Sequence, residues 1–281
     1  MSETCGRTHK YHAEASVLEG QLQLPLFQKI HPQAYSKLPE EGGYIAQRAE
    51  DYRLESVISY SSAYTQVAGN RDVKPGRGWS TLTTAVVEGL NVLDVLTADR
   101  VVCQIGTEHP LEGYVPSISF LGTRFENLRI AGHPVELYMD LDIVGSRPEN
   151  DTAYTKGSGF IDRIAGQYSR ILEQQQLPPE LHERYNRLSS TLGSPEAVEF
   201  SLVNRAAGGY PGLCFGHVIA VPHFGRISLG KLTLHHEDFK AGTDIPEKTT
   251  FRLTMIDLKF GCAIAGSARV ASLSTNGVSH P

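Results

Sequence analysis

The sequence predicts a mainly β protein, an antiparallel β-sandwich or barrel-like body carrying an inserted helical hairpin. Three observations predict it. The stretch 80–143 is dense in Val, Ile, Leu, Thr and Phe, residues that suit a pleated, half-buried surface. Gly89, Gly106, Gly113, Gly122 and Gly132 interrupt it at turn-like intervals, so it divides into short strands. Within it, Val135, Leu137, Met139, Leu141 and Ile143 alternate with Glu136, Tyr138, Asp140 and Asp142. Period-two alternation places one side of a strand on the core and the other in water, which antiparallel sheets permit.

The elements follow in order. Residues 1–11 read as a flexible leader. Residues 12–24 form a first strand with Leu18, Leu22 and Leu24 on one face. Pro25, Pro32 and Pro39 divide 26–43, which reads as a loop across a sheet edge. A second strand covers 52–67, with Leu54, Ile58, Tyr60 and Tyr64 on one face. The turn 70–78 carries Arg71, Lys74 and Arg77, and Trp79, the only tryptophan, opens the central block as a core anchor.

After Gly145 the pattern changes. Phe160, Ile161, Ile164, Tyr168, Ile171 and Leu172 recur at helical spacing. Pro179 is placed to open a second helix, with Leu181, Tyr185 and Leu188 as its apolar stripe. The region 158–190 is therefore a helical hairpin set between two β blocks as a packing element. The β pattern resumes at 197–204. In the strand pair 215–234 the apolar phase switches from Ile227 and Leu229 to Leu232 and Leu234, which predicts a β-bulge at Gly230. The last strands cover 250–260 and 263–275, and 276–281 reads as a frayed tail. Residues 12–281 together make one large β domain.

Composition narrows the function classes. A formal charge of −5 and a pI near 6.1 oppose a general nucleic-acid or anionic-membrane binder. No apolar run reaches the ~20 residues needed to span a bilayer, so no membrane insertion is expected. As written, the N-terminus holds no apolar segment of secretory type, which predicts the cytoplasm, with the cell surface or exterior as the alternative. Cys5, Cys103, Cys214 and Cys262 are widely spaced without CxxC and read as buried reduced thiols, a disulfide staying open. Walker, dinucleotide and GxSxG fingerprints are missing from the sequence.

The run VEGLNVLDVLTADRVV, followed by FENLRIAGHPV and later by VPHFGRISLGKL, resembles the repeated strand-pair pattern of bacterial choice-of-anchor surface domains. The resemblance covers about a third of the chain. It implies a β-rich, non-enzymatic module.

Two polar clusters are candidate sites. The first is Glu136, Asp140 and Asp142, with Tyr138. Alternate residues of a strand lie ~6.6 Å apart, so two carboxylates could lean toward one calcium ion or flank one glycosidic bond. The second gathers His217, His223, His235 and His236 with Glu237 and Asp238. His217, His223, one of the adjacent pair (His235) and Glu237 would suit zinc or non-haem iron. Each cluster also has a plain reading as a solvated strand face. The function expected is a non-catalytic binding or structural module, self-assembling through its sheet edges as a homo-oligomer, with a small molecule or glycan as its ligand. The alternatives are a metal-dependent small-molecule enzyme using the His cluster, and a ligand carrier with Tyr60, Tyr64, Trp79, Phe120 and Phe125 lining a cavity.

Overall fold

The structure, a computed structural model, describes residues 8–25, 27–71, 73, 78–193, 197–238, 248–261 and 264–280. The chain first lays down β1 (Thr8–Lys10), β2 (Ala13–Leu24), β3 (Gln28–Gln33), β4 (Ser36–Lys37), β5 (Gly43–Leu54), β6 (Ile58–Arg71), β7 (Trp79–Val92) and β8 (Leu96–His109). Short strands follow: β9 (Ser117–Ser119), β10 (Arg124–Glu126), β11 (Arg129–Ile130), β12 (His133–Pro134) and β13 (Glu136–Met139). Then come α1 (Ser158–Leu172) and α2 (Pro179–Ser190). The chain closes with β14 (Ala197–Ser201), β15 (Val203–Ala207), β16 (Leu213–Phe215), β17 (Val218–Val221), β18 (Gly225–Glu237), β19 (Lys248–Gly261), β20 (Ala265–Thr275) and β21 (Val278–His280).

Two large open antiparallel sheets result, not a closed barrel, with β1-β21 and β13-β15 as separate two-stranded pairs. An eight-stranded sheet runs β12-β11-β8-β7-β6-β5, with β9 and β10 also on β8. A nine-stranded sheet runs β16-β17-β18-β19-β20-β2-β3, with β14 on β18 and β4 on β2. Strands β2, β20 and β19 pack across β6, β7 and β8. Val17, Val67, Val87, Ile105, Leu253 and Val270 are fully buried between them. Because β2 inserts between β20 and β3, strands from the N-terminal and C-terminal parts of the chain share one sheet.

Both sheets are kinked along one transverse row. In the eight-stranded sheet the row runs Asp51, Ser61, Gly89, Asp99, and Asn127 bonds to Asp99 at its end. In the nine-stranded sheet it runs Ala34, Val17, Ala271, Met255, Gly230. Positive φ recurs on alternate members: Asp51 50°, Gly89 64° and Asn127 50°, then Ala34 42°, Ala271 51° and Gly230 58°. Every long strand reverses its buried parity there, as β7 does from Ala85 and Val87 to Leu90 and Val92. A one-residue shift in a single strand would expel its apolar set from the core. Because all strands shift at one level, the ladders keep register and the same face stays buried. The phase switch expected at Gly230 is one member of this row, but the β18–β19 register passes it unbroken, so it is a kink and not the expected bulge, which would insert an extra residue.

Four further expectations are corrected. Residues 8–10 of the leader and the tail at 278–280 pair with each other as β1 and β21, with His9 opposite Ser279; residues 1–7 lie outside the described residues. The loop 26–43 contains β3 and β4. The strand 52–67 is a hairpin that turns at Glu55, whose φ is 48°, with Val57 N donating to Leu54 O at 3.0 Å. The strand 135–143 ends at Met139. Asp140 N donates to Leu202 O at 2.7 Å, and the Arg163 guanidinium takes the carbonyls of Ile143 and Val144 at 2.7 and 2.8 Å. Docking of α1 therefore draws 140–145 into turns. The helical hairpin stands where its periodicity places it, with Pro179 in the first turn of α2.

Candidate functional site

The helical hairpin is fixed to the nine-stranded sheet by polar bonds as well as its apolar stripe. Phe160, Ile164, Tyr168 and Ile171 of α1 are buried, as are Leu181 and Tyr185 of α2. Gln167 donates Nε2 to Ser201 O and accepts from Ser201 N, both at 2.9 Å. Its amide thus substitutes for a neighbouring strand at the edge of β14. Tyr168 donates its hydroxyl to Glu199 O. Phe160 meets Phe200 edge to face at 5.4 Å.

Beneath α2 lies a half-buried ionic cluster. Glu199 is paired with Arg184 from α2 and with Lys231 Nζ at 3.1 Å, and Lys231 also reaches Asp257 at 3.4 Å. Burial alone would raise the Glu199 carboxyl, but the charges of Lys231 and Arg184 outweigh it and hold the group below its usual range. His217 is fully buried next to this cluster, its Nε2 3.2 Å from the Tyr185 hydroxyl. Burial lowers its pKa to about 4, so it is neutral at physiological pH.

The outer face of this sheet opens into a cleft of about 330 Å³ between α2 and the strand ends. Gln23, Arg184, Arg226, Ser228, Lys259 and Ser267 supply its polar lining, with Asp257 at one side and Leu181, Val218, Leu258 and Phe260 as apolar walls. The registers place Arg226 beside Lys259, Lys259 beside Ser267, Ser267 beside Gln21 and Gln21 beside Lys29. All five point outward, since Leu22, Ile30, Ile227, Leu258 and Ala268 on the alternate positions are buried. Three cations and no acid therefore share one row that crosses about 19 Å at ~4.8 Å per strand. Asp257 is held by Lys231, and Arg226 pairs with Glu180 of α2 at 2.9 Å, whose side chain is 77% exposed.

The residues expected to form sites do not converge. Glu136 lies on β13, where it accepts from the Tyr138 hydroxyl at 3.0 Å, whereas Asp140 and Asp142 lie in the following turns. The strand face that would have aligned the three carboxylates ends before the aspartates. His217 is in the turn between β16 and β17. His223 is exposed in the turn between β17 and β18, with φ 60°. His235 sits near the far end of β18, roughly 30 Å from that turn at ~3.3 Å per residue, and pairs with Glu237 at 3.5 Å. His236 points to the opposite face, where it bonds Thr249 at 3.1 Å and Asp238 at 3.3 Å. Among the described residues, no three His, Cys, Asp or Glu side chains are grouped to hold a metal ion.

The aromatic set of the carrier alternative also divides. The kink at Ser61 turns Tyr60 to the core and Tyr64 outward, where Arg100 donates to its hydroxyl at 3.3 Å. Trp79 is a buried anchor, stacked on His9 at 5.0 Å. Cys103 and Cys214 are free thiols, the first buried and the second half-buried; Cys5 and Cys262 lie outside the described residues.

Residues 9–235 match a family model described as a domain of unknown function, DUF8256. The chain belongs to this family. The match takes in the eight-stranded sheet and the helical hairpin but ends within β18, so β19 and β20, which complete the nine-stranded sheet and carry Lys259 and Ser267, lie beyond it. No curated protein and no solved structure matches the chain. No helix among the described residues is long and apolar enough to cross a membrane.

The cation row escaped the sequence reading. Lys29, Arg226 and Lys259 lie on three separate strands, and no spacing rule joins them. The available signal was each residue's outward phase within its own strand.

Proposed function

We propose that this DUF8256 protein is a non-catalytic binding module whose ligand is an anion seated in the cleft beneath α2. The observation that carries this reading is the pair Arg226 and Lys259 in the cleft lining, in a row that runs on to Lys29 beyond it, on a chain whose net charge is −5. Cations gathered against the sign of the whole molecule raise the local concentration of acidic ligands. Ser228, Ser267 and Gln23 add neutral donors, and a guanidinium can hold a carboxylate, sulfate or phosphate through two bonds. The ionisable groups at the cleft support binding more than proton transfer. Arg184 and Asp257 are engaged in ion pairs, and His217 is bonded to Tyr185 outside the lining. The resemblance to choice-of-anchor domains favours the same non-enzymatic class, and the free Cys103 and Cys214 favour a reducing compartment, the cytoplasm.

The test is calorimetric titration with inorganic phosphate, citrate and acidic oligosaccharides. Arg226→Ala and Lys259→Ala are each expected to weaken the bound anion about tenfold, the scale of one charged hydrogen bond. Undiminished binding in both variants would sink the assignment to this cleft.

A second reading, a homodimer formed edge to edge, is favoured by β5, which offers one side of a 12-residue strand. A two-fold axis through Ala49 sets Arg48 of each copy opposite Glu50 of the other. Light scattering after Arg48→Glu tests it: the wild-type dimer should dissociate, and a monomeric wild type removes the reading.

A further inference from the structure

The cation row ends beside an apolar hairpin tip. The β2–β3 turn carries Leu24 at 52% exposure and Phe27 at 71%, with Pro25 also exposed. Gln21 and Lys29, which face each other in the row, lie three and two residues from that tip. At ~3.3 Å per residue the apolar side chains project about 7–10 Å beyond the cations. Lys29 and Lys259 are themselves exposed.

We propose that this end of the nine-stranded sheet docks on an anionic lipid bilayer. Leu24 and Phe27 enter the headgroup boundary, and Lys29, Lys259 and Arg226 contact the acidic headgroups. Interfacial elements bury apolar groups about 5–10 Å deep, the depth this geometry supplies. The charge complementarity is local: the net charge of −5 describes the whole chain, whereas the five-residue row contains three cations and no carboxylate. A soluble polyanion would use the row and leave Leu24 and Phe27 in water. The exposed tip is what selects the bilayer over such a chain. The proposal rests on the anion-binding reading of the cleft, because Arg226 and Lys259 serve both. Lys29, Leu24 and Phe27 lie outside the cleft lining and separate the two.

The experiment is co-sedimentation of the full chain with phosphatidylcholine vesicles, with and without phosphatidylserine, alongside calorimetry with inorganic phosphate. The expected result is binding to the anionic vesicles only, weakening as salt is added. Lys29→Gln should lower the vesicle partition about fivefold, the factor attached to one cation near an anionic surface. Leu24→Ser with Phe27→Ser should lower it tenfold or more while phosphate affinity stays unchanged. These positions are exposed, and an unchanged circular-dichroism melt confirms that each variant is folded. Phosphate binding without vesicle binding overturns the membrane proposal and leaves the cleft reading standing. Vesicle binding that survives loss of the apolar tip also overturns it. Failure of both ligands overturns both.

Discussion

The outer faces of the two sheets share a backbone device and differ in their chemistry. On the eight-stranded sheet the charges of Glu88 and Arg100 are neutralised in place. Glu88 accepts from Ser62 at 2.7 Å and pairs with Arg100 at 3.4 Å, Arg100 reaches Tyr64, and Gln104 donates to Thr84 at 3.1 Å. On the nine-stranded sheet Arg269 meets Glu19 at 3.3 Å, and Lys231 is shared by Glu199 and Asp257. One step further along, Arg226, Lys259 and Lys29 have no acid in their row. A sheet surface needs polarity for solubility, and matched pairs supply it. A row of three cations, in which Arg226 pairs with the exposed Glu180 of α2, stands at the mouth of a cleft next to an exposed apolar tip and adds an attraction that solubility does not require. The difference between the faces is therefore the strongest guide to where a partner binds.

Acid should produce the largest effect on both halves. His109, on β8 of the eight-stranded sheet, is fully buried. Burial first, then the nearby charges of His9 and Arg147, lower its pKa to about 3. His217, beside the nine-stranded sheet, falls to about 4 chiefly through burial. In the unfolded chain both titrate near 6.5, so below that pH the unfolded state binds more protons and stability falls as pH falls. Each histidine should contribute a loss of about 1.4 kcal/mol per pH unit, ending near pH 4 for His217 and near pH 3 for His109. The lowered Glu199 carboxyl acts in the same direction at the acid end. Urea unfolding at pH 7 and pH 5, followed by Trp79 fluorescence, should differ by several kcal/mol. His109→Gln and His217→Gln should each flatten the profile. A profile that is flat in the wild type contradicts the burial of both rings.

Glycine substitutions separate the sheets next. Gly266 sits on the floor of the cleft at φ 145°, and a Cβ there would lie 2.3 Å from Gln21 O and 2.8 Å from Leu22 Cα. Backbone on a neighbouring central strand cannot yield, so Gly266→Ala should cost about 3 kcal/mol or more. Gly89 occupies the kink row of the other sheet at φ 64°, where the Cβ would meet the Ser61 hydroxyl at 2.6 Å. That side chain can rotate, so Gly89→Ala should cost about 1–2 kcal/mol, mostly backbone strain. Equal losses in thermal or chemical unfolding would mean that the two sheets tolerate the change alike.

The same contrast explains which features the sequence disclosed. Local periodicity was legible. Phe160, Ile164, Tyr168 and Ile171 marked α1, and Ile227 through Leu234 marked the phase switch at Gly230. Features that depend on neighbouring strands were not. Leu54, Ile58, Tyr60 and Tyr64 formed one apparent stripe because the kink at Ser61 cannot be seen without its row. Asp140 and Asp142 continued the alternation of β13 on paper, yet Arg163 and Leu202, distant in sequence, draw their backbone away. The histidines from 217 to 236 were close in sequence but are spread along β17 and β18. The cations at 29, 226 and 259 were far apart in sequence and are assembled by register.

The smallest expected effects concern the ion pairs. Glu199 has about a quarter of its side chain exposed and faces two cations, Arg184 and Lys231. Glu199→Gln would leave Arg184 half-buried without its carboxylate and Lys231 with Asp257 alone, and solvent screening at this exposure holds the cost to about 1–2 kcal/mol. Arg48 and Glu50 on β5 are 2.7 Å apart, but their side chains are 70% and 57% exposed. Glu50→Gln should therefore change the stability of the folded chain by less than about 0.5 kcal/mol. Added salt discriminates further, since it should narrow the small β5 effect and leave most of the Glu199 effect in place. If Glu199→Gln is as silent as Glu50→Gln, the cluster under α2 is no more than surface charge. The helical hairpin would then be held by its apolar stripe and by the bonds of Arg163, Gln167, Tyr168 and Tyr185.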